Sequence, residues 1–120
     1  MKIETSDSDI HGIGVFCIDN ILIDEIIETC QLIILDEKDT KIIDNTLLYN
    51  YYFSWTNNGS AICLGNGGLY NHSIQPNAKY IKDFDNNKII FVAIKEIKKG
   101  EEVLVNYNGT PDCDKKVWFE

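Results

Sequence analysis

A mainly β fold of several small sheets with few short helices is what this chain predicts, and three observations carry the prediction. Its 120 residues include 19 isoleucines alongside many valines and tyrosines, and β-branched and aromatic side chains favour pleated, half-buried positions. The apolar runs are short and are cut by turn-forming clusters, Asn57-Asn58-Gly59, Asp85-Asn86-Asn87 and Lys98-Lys99-Gly100. Helix candidates are few. The intervals between strands are irregular, with no internal repeat that would suggest a propeller or solenoid. A hydrophobic fraction of 44% with 25% charged residues is that of one ordinary globular domain, expected to occupy residues 1–120.

The elements follow in order. Gly12 and Gly14 flank Ile13 just before residues 15–18, which read as a strand leaving a glycine turn. Residues 26–35 read as a longer strand of mixed polarity, and residues 36–45 are polar enough for a loop or one helical turn. The aromatic run of residues 47–55 ends at Asn57-Asn58-Gly59, with residues 61–64 as the return strand of a hairpin. A second hairpin joins residues 78–81 to residues 89–93. Lys98-Lys99-Gly100 then turns the chain into a strand over residues 102–106. The tail from Asn108 is polar until Val117-Trp118-Phe119, and an apolar close to a polar tail docks on the domain.

Charge and cysteine usage exclude several classes. The net charge is -8, and all 11 basic residues are lysines. An acidic surface without the planar arginine fork weighs against nucleic acid, and favours a cationic partner such as a lysine-rich peptide. The amino terminus is too acidic for a signal peptide, and no apolar run reaches the length of a membrane span, so an intracellular protein is expected. Cys17, Cys30, Cys63 and Cys113 form no C-x-x-C pair, which suggests packing thiols and no zinc. Three N-x-S/T triplets, beginning at Asn58, Asn71 and Asn108, would matter only in a secreted chain.

The residues that could carry chemistry are each open to a structural reading. Gly12 and Gly14 let the backbone approach a ligand, or simply make a tight turn; they lack the third glycine and the βαβ context of a dinucleotide site. Asn71-His72 offers an amide and an imidazole at a turn: a base, a ligand donor, or a satisfied turn residue. A hydrolase built on His72 with Ser73 or Ser60 is conceivable, although no G-x-S-x-G elbow is present. Tyr107 ends an apolar strand, which leaves its hydroxyl at a site edge. Tyr51 and Tyr80 could join it, and several phenols around one channel suit a lysine side chain and its ammonium.

Taken in order, Gly12-Ile13-Gly14-Val15-Phe16, Tyr51-Tyr52-Phe53-Ser54-Trp55, Leu69-Tyr70-Asn71-His72-Ser73-Ile74-Gln75-Pro76-Asn77-Ala78 and residues 100–107 resemble the successive motifs of the SET domain. That family moves a methyl group from S-adenosylmethionine to a lysine amine. The resemblance spans residues 10–110, leaves residues 111–120 as a closing tail, and is greatest to minimal stand-alone SET proteins, including short viral ones. It implies a SET (β-clip-like) fold whose carboxyl-terminal segment threads under a preceding loop as a pseudoknot, an exception to the unthreaded-chain rule. It further implies that Gly12, Ile13, Gly14, Asn71, His72 and Trp118 hold S-adenosylmethionine. By the same resemblance Tyr107 is the active-site tyrosine, assisted by Tyr51, and Tyr51, Tyr80, Val105, Tyr107 and Phe119 line the lysine channel. Tyr80 narrows that channel and Val105 opens it, so the degree of methylation stays undecided.

The implied substrate is a lysine-containing protein, on family analogy a histone, which would put the protein in the nucleus and otherwise in the cytoplasm. A core lacking flanking domains could gain substrate surface as a homodimer. Two other readings stay in view: an inactive SET-like module that binds a lysine-rich partner without the cofactor, and the hydrolase.

Overall fold

The computed structural model describes residues 1–110. Strands β1 (Ile3–Asp7) and β2 (Ile13–Cys17) form an antiparallel ribbon in which Ile3 faces Cys17 and Asp7 faces Ile13. A five-stranded antiparallel sheet follows, built from β3 (Ile26–Leu35), β4 (Phe53–Ser54), β5 (Ser60–Cys63), β7 (Ala78–Asp83) and β8 (Lys88–Ala93) in the order β4-β5-β3-β8-β7. The third sheet is a short parallel pair of β6 (Asn71–His72) with β9 (Leu104–Val105). The mainly β expectation is met by these small sheets.

The hairpin of β7 and β8 pairs Ala78 with Ala93 and Asp83 with Lys88. Its turn is closed by Asn87 at φ 50° and by Asp83, whose carboxylate accepts from Asn86. At the other hairpin Asn57 and Asn58 both take positive φ, the conformation that asparagine tolerates better than most residues.

Three elements differ from the sequence reading. The strand β1 was not expected, because only Ile3 of its five residues is buried and the others give no apolar alternation. The polar stretch after β3 is a full helix, α1 (Glu37–Ile43), with Asp36 as its N-cap accepting from Asp39 N at 2.9 Å, acidic residues in its first turn and Lys41 in its last. The aromatic run is not one strand: Leu47–Asn50 is a 3-10 turn, capped by the Thr46 hydroxyl, and only Phe53–Ser54 pairs, with Ala61 and Ser60. A local cap defeats strand propensity where no neighbouring strand is available to bury the residues; Leu47 is 72% exposed.

The core draws buried side chains from all three sheets. Ile89 and Phe91 of β8, Val15 of β2, Val103 and Val105 are essentially inaccessible. Each such side chain contributes about 1.5–3 kcal/mol of burial. Asn77 stitches the last strand into place: its Nδ2 donates to the Glu102 carbonyl and its Oδ1 accepts from Leu104 N, both at 2.8 Å, while its own N–H reaches the Leu104 carbonyl. Residues 102–107 therefore run beside residues 71–77. The tail expected to complete the thread, with Trp118, Phe119 and Cys113, lies outside the described residues. Among the described residues no helix is long and apolar enough to cross a membrane.

Candidate active site

The first part of the site is a polar knot beneath the glycine turn. Gly12 takes φ +46°, which a side chain would strain, and the space where its Cβ would stand is open. Gly14 is glycine for a different reason: a Cβ there would collide with the Glu102 carboxylate and crowd the Asn71 amide. That carboxylate accepts from Ser8 Oγ at 2.7 Å and Asn71 Nδ2 at 2.8 Å, and the same Nδ2 donates to the His11 carbonyl at 3.0 Å. Both amide hydrogens of Asn71 are thus spent on the protein and its main chain lies in the β6–β9 ladder, leaving its Oδ1 to offer a ligand. His72 is committed through one ring nitrogen, since its Nδ1 accepts from Tyr107 N at 3.0 Å. The imidazole is a clamp that fixes where Tyr107 begins, with the two rings 5.2 Å apart.

The second part is a set of phenols. Tyr107 donates its hydroxyl to the Tyr70 carbonyl at 2.6 Å, and Tyr80 donates to the Tyr107 carbonyl at 3.3 Å. With its one hydrogen directed at Tyr70, the Tyr107 oxygen offers a substrate only acceptor capacity. Burial, reinforced by neighbouring Tyr51 and the Glu102 carboxylate, pushes the Tyr107 phenol up to about 12. It is a neutral phenol throughout the physiological range.

Tyr70 is held from below. Its buried hydroxyl donates to Glu28 Oε1 at 2.7 Å, and its ring stacks on Phe91 at 4.0 Å between centroids. Glu28 Oε2 accepts the Asn66 N–H as well, so one buried carboxylate from β3 secures both ends of the loop of residues 66–70.

These parts border two cavities. The smaller, of about 160 Å³, is walled by Tyr51, Tyr52, Phe53, Tyr80, Lys82 and Tyr107 among others. The larger, of about 530 Å³, is walled by Gly12, Ile13, Leu47, Leu69, Asn71 and His72 among others. Asn50, Tyr51, Gly68 and Tyr107 line both, so the two meet on a wall that carries two phenols.

Of the expected site residues, Gly12, Ile13, Asn71 and His72 therefore line one cavity, Tyr80 lines the other, and Tyr51 and Tyr107 line both. Gly14 and Val105 line neither. Gly14 faces Glu102, and Val105 is buried in the core. The strand ends at Val105, so the two-residue alternation that would have put Val105 and Tyr107 on one face stops there. Trp118 and Phe119 lie outside the described residues. Asn50, Gly68 and Tyr70 were missed: they lie in turns, where no periodicity marks a buried or lining face. Among the described residues no group of three or more His, Cys, Asp or Glu side chains lies close enough to hold a metal ion.

A small mainly β domain in which a glycine turn, an Asn-His strand and a terminal tyrosine converge on paired cavities is the class that fold and site define. The SET domain family model matches residues 12–108. The chain belongs to the SET domain family. It is 29% identical over 119 residues to the histone-lysine N-methyltransferase, H3 lysine-37 specific, of Schizosaccharomyces pombe, covering 98% of this chain and 77% of that one. It is 40% identical over 68 residues, 53% of this chain and 26% of the other, to a SET domain-containing protein of Acanthamoeba polyphaga mimivirus. The crystal structure of a Plasmodium falciparum protein assigned as a histone methyltransferase superposes with a TM-score of 0.73 at 32% identity, covering 91% of this chain and 99% of that one.

Proposed function

We propose that the protein is a protein-lysine N-methyltransferase that uses S-adenosylmethionine and acts on a lysine of a histone. The observation that carries this reading is the wall shared by the two cavities, where Tyr51 and Tyr107 stand between a roomy cleft and a narrow phenol-lined channel. The larger cleft fits the donor: about 530 Å³ lies within the range of small-molecule sites, and apolar Leu47 and Leu69 alternate there with main chain at a left-handed glycine. Gly12, Ile13, Asn71 and His72 are the residues that would hold it. S-adenosylmethionine, when bound, supplies an electrophilic methyl group on a sulfonium sulfur.

What the chain's own residues contribute is positioning and desolvation. A substrate lysine with a reference pKa of about 10.4 is deprotonated in roughly one molecule in 2,500 at pH 7, a handicap of about 4.6 kcal/mol. Enclosing its amine among Tyr51, Tyr80 and Tyr107 disfavours the ammonium, and full burial moves such groups by about 3–5 pKa units, enough to offset that handicap. The Tyr107 oxygen, its hydrogen fixed on Tyr70, accepts a hydrogen bond from the amine and orients its lone pair along the channel axis. A phenol neutral up to about 12 does this without acting as a base.

The histone assignment is supported by the named activity of the fission-yeast relative and by the -8 charge of this chain, which draws lysine-rich tails; it implies work in a nucleus. Incubation with methyl-labelled S-adenosylmethionine and a panel of histones, ribosomal proteins and lysate tests it. Label on a histone band is expected; label only on other proteins would move the substrate, and no label anywhere would remove the enzymatic reading. Calorimetry with the demethylated donor product checks the cleft separately.

A further inference from the structure

The narrow channel contains one lysine of its own. Lys82 stands two residues after Tyr80 on β7 and so projects from the same face into the smaller cavity, and among the described residues it is the only lysine lining either cavity. The strands β4 and β7 are the two opposite edges of the five-stranded sheet, and they meet here: Lys82 Nζ donates to the Ser54 carbonyl at 2.8 Å, and the Phe53 and Tyr80 rings meet at 5.1 Å. The chain has 19 acidic side chains, yet among the described residues Lys82 makes no ion pair, and its ammonium donates to a neutral carbonyl. Burial with no compensating anion pulls its pKa below the usual lysine range. A partly desolvated cation of this kind favours an approaching negative charge. An ammonium carries three donors, of which Ser54 takes one. Lys82 is partly exposed, and its bond to the Ser54 carbonyl lies at the surface.

We infer that Lys82 reads an anionic side chain beside the target lysine, so that the site selects lysines flanked by a carboxylate or a phosphate ester within an otherwise basic segment. This rests on the methyltransferase reading of the channel and adds a sequence preference to it. The two requirements are compatible: the acidic surface attracts the basic segment as a whole, while the single cation beside the channel fixes which lysine enters. An anion there completes a charge-assisted hydrogen bond with the free donors of Lys82 and leaves the phenols to the amine.

The test uses fluorescent peptides identical except at the residues flanking one lysine: neutral, glutamate or phosphoserine. Binding to the full chain is measured with the demethylated donor product present, and methyl transfer is measured in parallel. The wild-type protein should bind the anionic peptides about two- to five-fold more tightly than the neutral one, with the preference shrinking as salt is raised. The glutamate and phosphoserine arms distinguish the two sources of negative charge. Lys82→Gln keeps an N–H for the Ser54 carbonyl and removes the charge; it should melt like the wild type and bind all three peptides alike. Lys82→Arg should keep the preference, and Lys82→Glu should reverse it. Equal binding of charged and neutral peptides by the wild type, weak or tight, overturns the inference, as does a preference that survives Lys82→Gln. A charge preference in binding with no product in any arm would instead count against the methyltransferase reading, so the two failures are distinguishable.

Discussion

Replacing Tyr107 by phenylalanine removes a single oxygen at the wall between the two cavities, and the structure separates its two consequences. The first is structural: the hydroxyl's bond to the Tyr70 carbonyl at 2.6 Å is lost. A net protein hydrogen bond contributes about 0.5–1.5 kcal/mol, equivalent to a fall of about 2–8 °C in Tm for a domain of this size. The ring itself stays, still packed near His72 and still placed by the bond from its N–H to His72 Nδ1. A domain with about 5–15 kcal/mol of stability remains more than 99% folded after that loss. The second consequence is functional: on the role proposed for Tyr107 the amine loses the acceptor that aims it, and removal of one preorganised polar group at a reacting centre lowers kcat by about 10²–10³. Labelled methyl transfer at saturating substrate measures the rate, melting measures stability, and calorimetry with the demethylated donor product should give an unchanged affinity. If Tyr107→Phe turned over at the wild-type rate with the expected drop in Tm, the phenol would be a structural strut and the catalytic assignment wrong.

Further perturbations address the scaffold. Asn77→Ala removes two side-chain bonds to the backbone of residues 102 and 104 and should destabilise the domain by about 2–4 kcal/mol, read as a lower denaturation midpoint at unchanged slope. Gly14→Ala forces a Cβ against the Glu102 carboxylate; its rearrangement should free the Asn71 amide and weaken donor-product binding at least several-fold, and unaltered binding would mean that the knot beneath the glycine turn is not needed by the cleft. Tyr107 and Tyr52 are both pushed up to about 12, Tyr107 by burial and Tyr52 by burial and the Asp44 carboxylate that its hydroxyl donates to. A raised phenol pKa contributes stability that is complete below about pH 10 and is lost as the pH climbs toward about 12. Stability should therefore fall across that window, less steeply in Tyr107→Phe, while the methyl-transfer rate should show no Tyr107 titration below pH 10.

The strands at residues 26–35 and the hairpin of residues 78–93 were legible because their signals are local. β-branched runs and Asn-rich turns act over a few residues, and nothing elsewhere in the chain competes with them. The residues 47–52 were not legible, since the Thr46 cap and the absence of a partner strand override an aromatic run that looks like β structure in isolation.

The site divides the same way. The order of motifs, Gly12-Ile13-Gly14, Asn71-His72-Ser73 and the strand leading to Tyr107, was in the sequence and fixed the family. What each residue does there depended on contacts made across the chain. Asn71 is held by Glu102, Tyr107 by Tyr70 and His72, and Tyr70 by Glu28 on another sheet. Likewise, Lys82 meets Ser54 only because the two edge strands of one sheet come together in the fold. The sequence determined the local conformations and the family, whose signals lie within short stretches of chain. The tertiary structure decided which phenols share a wall, why Gly14 must lack a side chain, and that Val105 belongs to the core, because those depend on the packing of residues far apart in sequence, which no local pattern encodes.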